Sequence, residues 1–126
     1  MRMKIVAMTV SVLMLGGVSQ APAQASGGAD DGPTSIGVIG DGLRVREVRA
    51  LIDDWEPGAA ARISQWKGDS YIRQVSGWKA MSSKQVSRLK FEIALWKFNR
   101  NFPHGHRLCA EFKGHPDRLP CVTIKR

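Results

Sequence analysis

The C-terminal segment contains both cysteines of the chain and constrains the fold more than any other stretch. From Arg107 to Lys113, and again from Cys121 to Lys125, apolar residues alternate with polar ones. Side chains two residues apart share one face of a strand, so both cysteines fall on the face opposite the apolar residues. The pattern predicts an antiparallel hairpin in which Cys109 and Cys121 lie directly opposite each other and form a disulfide.

This pairing also fixes the register of the hairpin. Leu108 then meets Val122, Glu111 meets Leu119, and Gly114-His115-Pro116 is left as the connecting loop. The second interpretation is a buried bridge between two sheets, as in immunoglobulin domains. It would turn the charge of Glu111 inward without a partner, which costs several kcal/mol.

Turn residues punctuate the rest of the chain at close intervals, a spacing typical of short β-strands. We predict an all-β fold: a two-layer antiparallel β-sandwich, immunoglobulin-like, with about seven short strands over residues 34–126. The apolar residues change parity after Arg46-Glu47, which requires a bulge or a bend in that strand. Lys67-Gly68-Asp69 separates two further strands, as in a hairpin.

One segment fits two periodicities. Its alternation favours a strand with one apolar and one polar face; Leu89, Phe91, Ile93 and Leu95 alternate with Lys90, Glu92, Ala94 and Trp96. Ser82 and Gln85 have the spacing of a capping box, however, and a helix from Ser83 to Phe98 would make the fold α+β. We favour the strand, because the neighbouring elements are β and need partners, and keep the helix as the alternative.

The N-terminus has the three parts of a secretory signal. A basic start is followed by an apolar run that ends at Leu15, and then by Ala23-Gln24-Ala25, with small residues at the two positions a signal peptidase selects. The run is shorter than the roughly 20 apolar residues that span a bilayer. We predict a signal peptide over residues 1–25 that is cleaved after Ala25. The mature chain then has a flexible tail over residues 26–33 and one domain over residues 34–126. The predicted location is extracellular, which suits a disulfide.

The chain is basic, with a formal net charge of +8 at pH 7. Removal of the signal takes Arg2 and Lys4 and leaves 17 basic residues against 11 acidic ones. Because the arginines are scattered along the sequence, the charge favours weak attraction to polyanions over specific nucleic-acid binding. The sequence lacks a basic amphipathic segment, so we expect no membrane contact after signal cleavage.

The histidines are the candidates for chemistry. If the strand after His106 is extended, His106 and His115 are roughly 30 Å apart, too far to share a zinc ion. A small secreted ribonuclease needs a general base, a general acid and a cationic clamp for the phosphate. Glu111 together with His104, His106 or Arg107 would supply these groups. No motif of a known enzyme or nucleotide-binding site accompanies them. We therefore predict no catalytic residue, metal or cofactor.

Tryptophans are the candidates for binding, although an indole more often fills a core. Trp78 follows a turn, and Trp96 falls on the polar face of its predicted strand. Together with Arg73 and Lys79, which contribute to a positive patch near the middle hairpin, they form the predicted binding surface. We expect a monomeric, non-enzymatic binding module for a protein or an anionic cell-surface polymer. The alternative is a small secreted hydrolase that acts on a polyanion such as RNA.

Overall fold

The computed structural model describes residues 26–126, and these residues form ten β-strands and no helix. The predicted signal peptide over residues 1–25 lies outside the described residues. The strands are β1 (Gly27–Asp31), β2 (Thr34–Asp41), β3 (Arg44–Asp53), β4 (Ala60–Lys67), β5 (Ser70–Gln74), β6 (Lys79–Ala80), β7 (Ser82–Val86), β8 (Leu89–Asn101), β9 (His106–Phe112) and β10 (Cys121–Thr123).

The strands form two antiparallel sheets that pack face to face. The first sheet has the order β1-β2-β3-β8-β7, and the second has the order β10-β9-β4-β5, with β6 also paired to β4. This arrangement confirms the predicted all-β sandwich. The structure has ten strands, where about seven were predicted, and it does not confirm an immunoglobulin-like topology. The alternative helix from Ser83 to Phe98 is wrong, since that stretch forms β7, a tight turn and β8.

The core lies between the two sheets. Both sheets contribute small and branched side chains, and the residues after β8 and β10 add Phe102 and Ile124. The buried set includes Ile36, Val38, Val45, Val48, Ala50 and Ile52 from the first sheet and Ala61, Ile63, Leu108, Ala110, Phe112 and Val122 from the second. Strands with one buried face explain the period-two patterns of the sequence.

Local features of the chain agree with the turn and bulge signals. The pairing of β3 with β8 shifts register between Val45 and Glu47, which confirms the bulge predicted from the parity change. β4 and β5 pair across the Gly68-Asp69 turn, with Lys67 opposite Ser70, as the hairpin signal predicts. Gly68 has a φ of 59°, a left-handed conformation that favours glycine at this turn.

Residues 26–33 are not a flexible tail throughout. Gly27–Asp31 forms β1, which pairs with β2 along its whole length. The Asp31 carboxylate also accepts a hydrogen bond from the Leu119 backbone N–H at 2.8 Å and one from the Arg118 guanidinium at 3.2 Å. Backbone hydrogen bonds do not require apolar side chains, so a strand can form where the composition shows no apolar pattern.

The faces of β8 are the reverse of the prediction. Glu92 and Ala94 are buried and Trp96 packs against the core, because their partners on β3 are the core residues Ile52, Ala50 and Val48, respectively. The Glu92 carboxylate is 1% exposed and accepts hydrogen bonds from the Glu56 backbone N–H at 2.9 Å and the Ser83 hydroxyl at 2.5 Å. These two donors replace the water that the carboxylate loses on burial.

The C-terminal hairpin has the predicted register at its disulfide. Cys109 lies opposite Cys121 and Leu108 opposite Val122, and the two sulfurs are bonded. Cys109 shares the outer face of the second sheet with Ser64, and both residues are fully buried there.

Beyond the disulfide the hairpin differs from the prediction. The ladder ends at Cys109, so Glu111 does not pair with Leu119. The Leu119 backbone N–H donates to Asp31 instead, and Pro120 has no N–H to donate. The chain over residues 113–119 therefore separates from β9 and leaves a groove beside it.

Candidate functional site

One long side of the sandwich is strongly basic. β5 and β6 pair with the same edge of β4, and β7 is the edge of the other sheet, joined to β6 through Met81. Residues 70–90, named here the basic edge, contain five basic residues and no acidic one. The five are Arg73, Lys79, Lys84, Arg88 and Lys90. The edge thus contains five of the 17 basic residues found between positions 26 and 126, all from one continuous segment of the chain.

The basic edge also exposes large apolar side chains. Seven such residues are exposed among those described, and five of them belong to this edge: Tyr71, Ile72, Trp78, Val86 and Leu89. Val86 and Leu89 pair across the β7–β8 turn and are 61% and 69% exposed. An exposed apolar cluster that is rimmed by like charges is typical of a binding surface.

Three of the four residues of the predicted binding surface, Arg73, Trp78 and Lys79, belong to the basic edge, whereas Trp96 lies on β8 outside it. Trp78 is 41% exposed, and Arg73 is exposed on β5, where its Nε donates to the Gln65 side chain at 3.0 Å. The Lys79 ammonium donates to the Leu95 carbonyl and lies 5.7 Å from the centroid of the Trp96 ring. Trp96 is therefore part of the core boundary and is covered by Lys79, because the face of β8 that it shares with Glu92 is the inner one.

A groove of about 480 Å³ adjoins the basic edge on the outer face of the second sheet. It lies between β9 and the C-terminal loop, and Trp78 belongs to both the groove and the edge. Its walls include Trp66, Trp78, Glu111, Lys113, His115 and Leu119. The volume falls in the range of ordinary ligand sites, roughly 300–1,000 Å³.

Two cations lie against the exposed indole of the groove. The Arg62 guanidinium is 4.5 Å from the centroid of the Trp78 ring, and the Lys113 ammonium is 5.2 Å away. Arg62 is held by two hydrogen bonds to Glu111, at 2.9 and 3.0 Å, and one to Gln74 at 3.1 Å. Arg62 therefore fixes the position of the ring by a cation–π contact.

The remaining ionic groups around the groove are paired. His115 Nε2 lies 2.7 Å from Glu56 Oε1, and Arg118 lies 3.2 Å from Asp31. The Leu119 backbone N–H, with the Arg118 guanidinium, lowers the pKa of Asp31 below its ordinary value of 3.8. The loop that forms one wall of the groove is thus attached to β1.

The candidate catalytic residues do not all converge. Each histidine forms a hydrogen bond with a different group. His104 accepts one from the Arg126 backbone N–H, His106 bonds the side chain of Gln65, and His115 bonds the carboxylate of Glu56. Glu111 and His115 line the same groove, whereas His104, His106 and Arg107 do not line it. Within residues 26–126, no group of three or more His, Cys, Asp or Glu side chains is arranged to hold a metal ion.

Sequence reasoning identified Trp78 but missed its neighbours. Lys113 and Arg62 are far from Trp78 along the chain, and no local pattern connects them. The sequence does contain one signal from which the basic edge could have been predicted: residues 70–90 include no acidic residue.

The described part of the chain contains no helix that is long and apolar enough to cross a bilayer. Comparisons with protein-family models, with curated proteins and with solved structures found no match.

Proposed function

We propose that this chain is an extracellular, non-enzymatic binding module whose basic edge binds an anionic cell-surface polymer. The observation that carries the proposal is the composition of that edge, where five cations and five exposed apolar side chains occur without a carboxylate. Export is supported by the signal-like features of residues 1–25 and by the disulfide, which suits an oxidising exterior.

A polymer fits such an edge better than a small ligand does. The edge extends over three strands, so its cations can contact successive charges of one chain. Each contact is weak and screened by salt, but contacts along one polymer act together. The exposed aliphatic and aromatic side chains add an attraction that salt does not screen.

The test measures binding to polyphosphate and to polygalacturonate at low and moderate salt. The edge variant replaces three exposed cations, Arg73→Gln, Lys84→Gln and Arg88→Gln. A matched variant outside the edge has the same net charge, Arg44→Gln, Lys97→Gln and Lys125→Gln. All six side chains are exposed. We expect the edge variant to lose affinity by roughly tenfold or more and the matched variant to change much less, since only the edge contacts the polymer. Equal losses in the two variants would show that net charge alone attracts the polymer.

A second candidate is a hydrolase that acts on a polyanion such as RNA. It is favoured by one observation, the presence of Glu111 and His115 in the same groove beside Lys113. A carboxylate and an imidazole can serve as general base and acid. RNA cleavage that is abolished by His115→Ala and by Glu111→Gln, in proteins with unchanged stability, would establish this activity in place of simple binding.

A further inference from the structure

The groove differs from the basic edge in having ordered aromatic walls. The Trp66 indole N–H donates to the Ser64 hydroxyl at 2.9 Å, and its ring packs edge-on against Tyr71 at 5.5 Å. The Trp78 ring is held by Arg62, which is itself fixed by Glu111. Flat rings whose positions are already fixed lose little entropy when a ligand stacks on them. The groove is therefore suited to a ligand with a flat apolar face.

The groove also contains one cation whose charge is not balanced by a neighbour. Glu111 and Arg118 each have an ionic partner within 4 Å, and His115 Nε2 lies within hydrogen-bond distance of Glu56. Among residues 26–126, the Lys113 ammonium has no acidic group at that distance, and its close contact is the face of Trp78. A negatively charged ligand group beside the indole would supply the missing counter-charge.

We infer that the groove binds a short stretch of an acidic polysaccharide. The carbon–hydrogen face of a sugar ring packs on Trp78, and the carboxylate of that sugar pairs with Lys113. This inference rests on the proposed function, because a polymer bound along the basic edge reaches the groove at Trp78. A polyphosphate lacks the ring that stacks, and a neutral glycan lacks the charge.

Three soluble probes separate these contributions: oligogalacturonate, which has sugar rings and charge; polyphosphate, which has charge alone; and a cello-oligosaccharide, which has rings alone. Each is titrated against the full chain and against Trp78→Ala and Lys113→Gln. Ile39→Ala is the matched apolar control, since Ile39 is 36% exposed and lies on β2, outside both the basic edge and the groove. Lys125→Gln is the matched charge control, and thermal unfolding verifies that every variant is folded.

We expect Trp78→Ala to weaken oligogalacturonate binding by about tenfold, the size of a lost stacking contact, with polyphosphate binding changed by less than about twofold. Lys113→Gln should weaken oligogalacturonate binding by a similar factor, and the cello-oligosaccharide should bind weakly to all forms. The Ile39 and Lys125 controls should match the parent chain.

The outcomes distinguish the inference from the proposed function. If Trp78→Ala leaves oligogalacturonate binding unchanged, or weakens both anionic probes equally, the groove does not recognise an acidic sugar, although the basic edge can still bind polyanions. If the cello-oligosaccharide binds as tightly as oligogalacturonate, the role of Lys113 is wrong. If the edge variant binds both anionic probes as tightly as the parent chain, the proposed function itself fails.

Discussion

Reduction of the Cys109–Cys121 disulfide should lower the free energy of unfolding by about 3 kcal/mol. The two cysteines are 12 residues apart, and closing a loop of this length in the unfolded chain removes conformational entropy worth about that amount at 25 °C. The folded hairpin should keep its register without the bond, because backbone hydrogen bonds flank it: the Ala110 N–H donates to the Pro120 carbonyl at 3.0 Å and the Ile124 N–H to the His106 carbonyl at 2.8 Å.

The assay is equilibrium unfolding in urea, followed by tryptophan fluorescence, with and without a phosphine reductant. The double variant Cys109→Ala/Cys121→Ala is a second arm, and it should be slightly less stable than the reduced parent chain because Cys109 is fully buried on the outer face of the second sheet and loss of its sulfur leaves a small cavity there. A loss below about 1 kcal/mol on reduction, at an unchanged denaturant slope, would refute the argument that the bond acts by restricting the unfolded chain.

Three further predictions concern single positions. Glu92→Ala should destabilise the fold by about 1–3 kcal/mol in urea unfolding, because the Glu56 N–H and the Ser83 hydroxyl lose their acceptor, and Glu92→Gln should cost less. Asp31→Asn should lower the melting temperature at pH 7, and this difference should shrink as the pH is lowered below 3.8. The lowered pKa makes the carboxylate stabilising above pH 3.8, and the stabilisation is lost as the pH falls through the folded-state value. A difference that does not shrink with acidification would contradict the role of the charge. N-terminal sequencing of the exported protein should begin at Ser26, and a first residue of Met1 would contradict cleavage after Ala25.

The same hydrogen bonds that attach the C-terminal loop to β1 also keep the groove open. The Pro120 carbonyl accepts a hydrogen bond from the Ala110 N–H of β9, but Pro120 has no N–H to donate, and the preceding amide, that of Leu119, donates to Asp31. The loop is thereby held away from Glu111 and Lys113, which remain accessible on the outer face of the second sheet. Asp31→Asn therefore tests the shape of the groove as well as the stability of the fold.

The fold class, the hairpin between β4 and β5, the bulge in β3 and the register at the disulfide could all be predicted from the sequence. These features depend on neighbours along the chain: turn residues, alternation, and two cysteines whose spacing allows one antiparallel register near the bond. Trp78, Arg73 and Lys79 were also identified, because they are close together in sequence and next to turn residues.

Tertiary structure alone decided which face of β8 is buried and which side chains surround Trp78. An alternating pattern has a period of two, so it separates two faces of a strand without showing which one meets the other sheet. The pairing with β3 placed Glu92, Ala94 and Trp96 on the inner side, against the apolar alternation of β8 itself. Arg62 reaches Trp78 because β4 pairs with β6, with Ala61 opposite Lys79, and Lys113 reaches it because β4 also pairs with β9. Neither proximity has a local signal in the sequence.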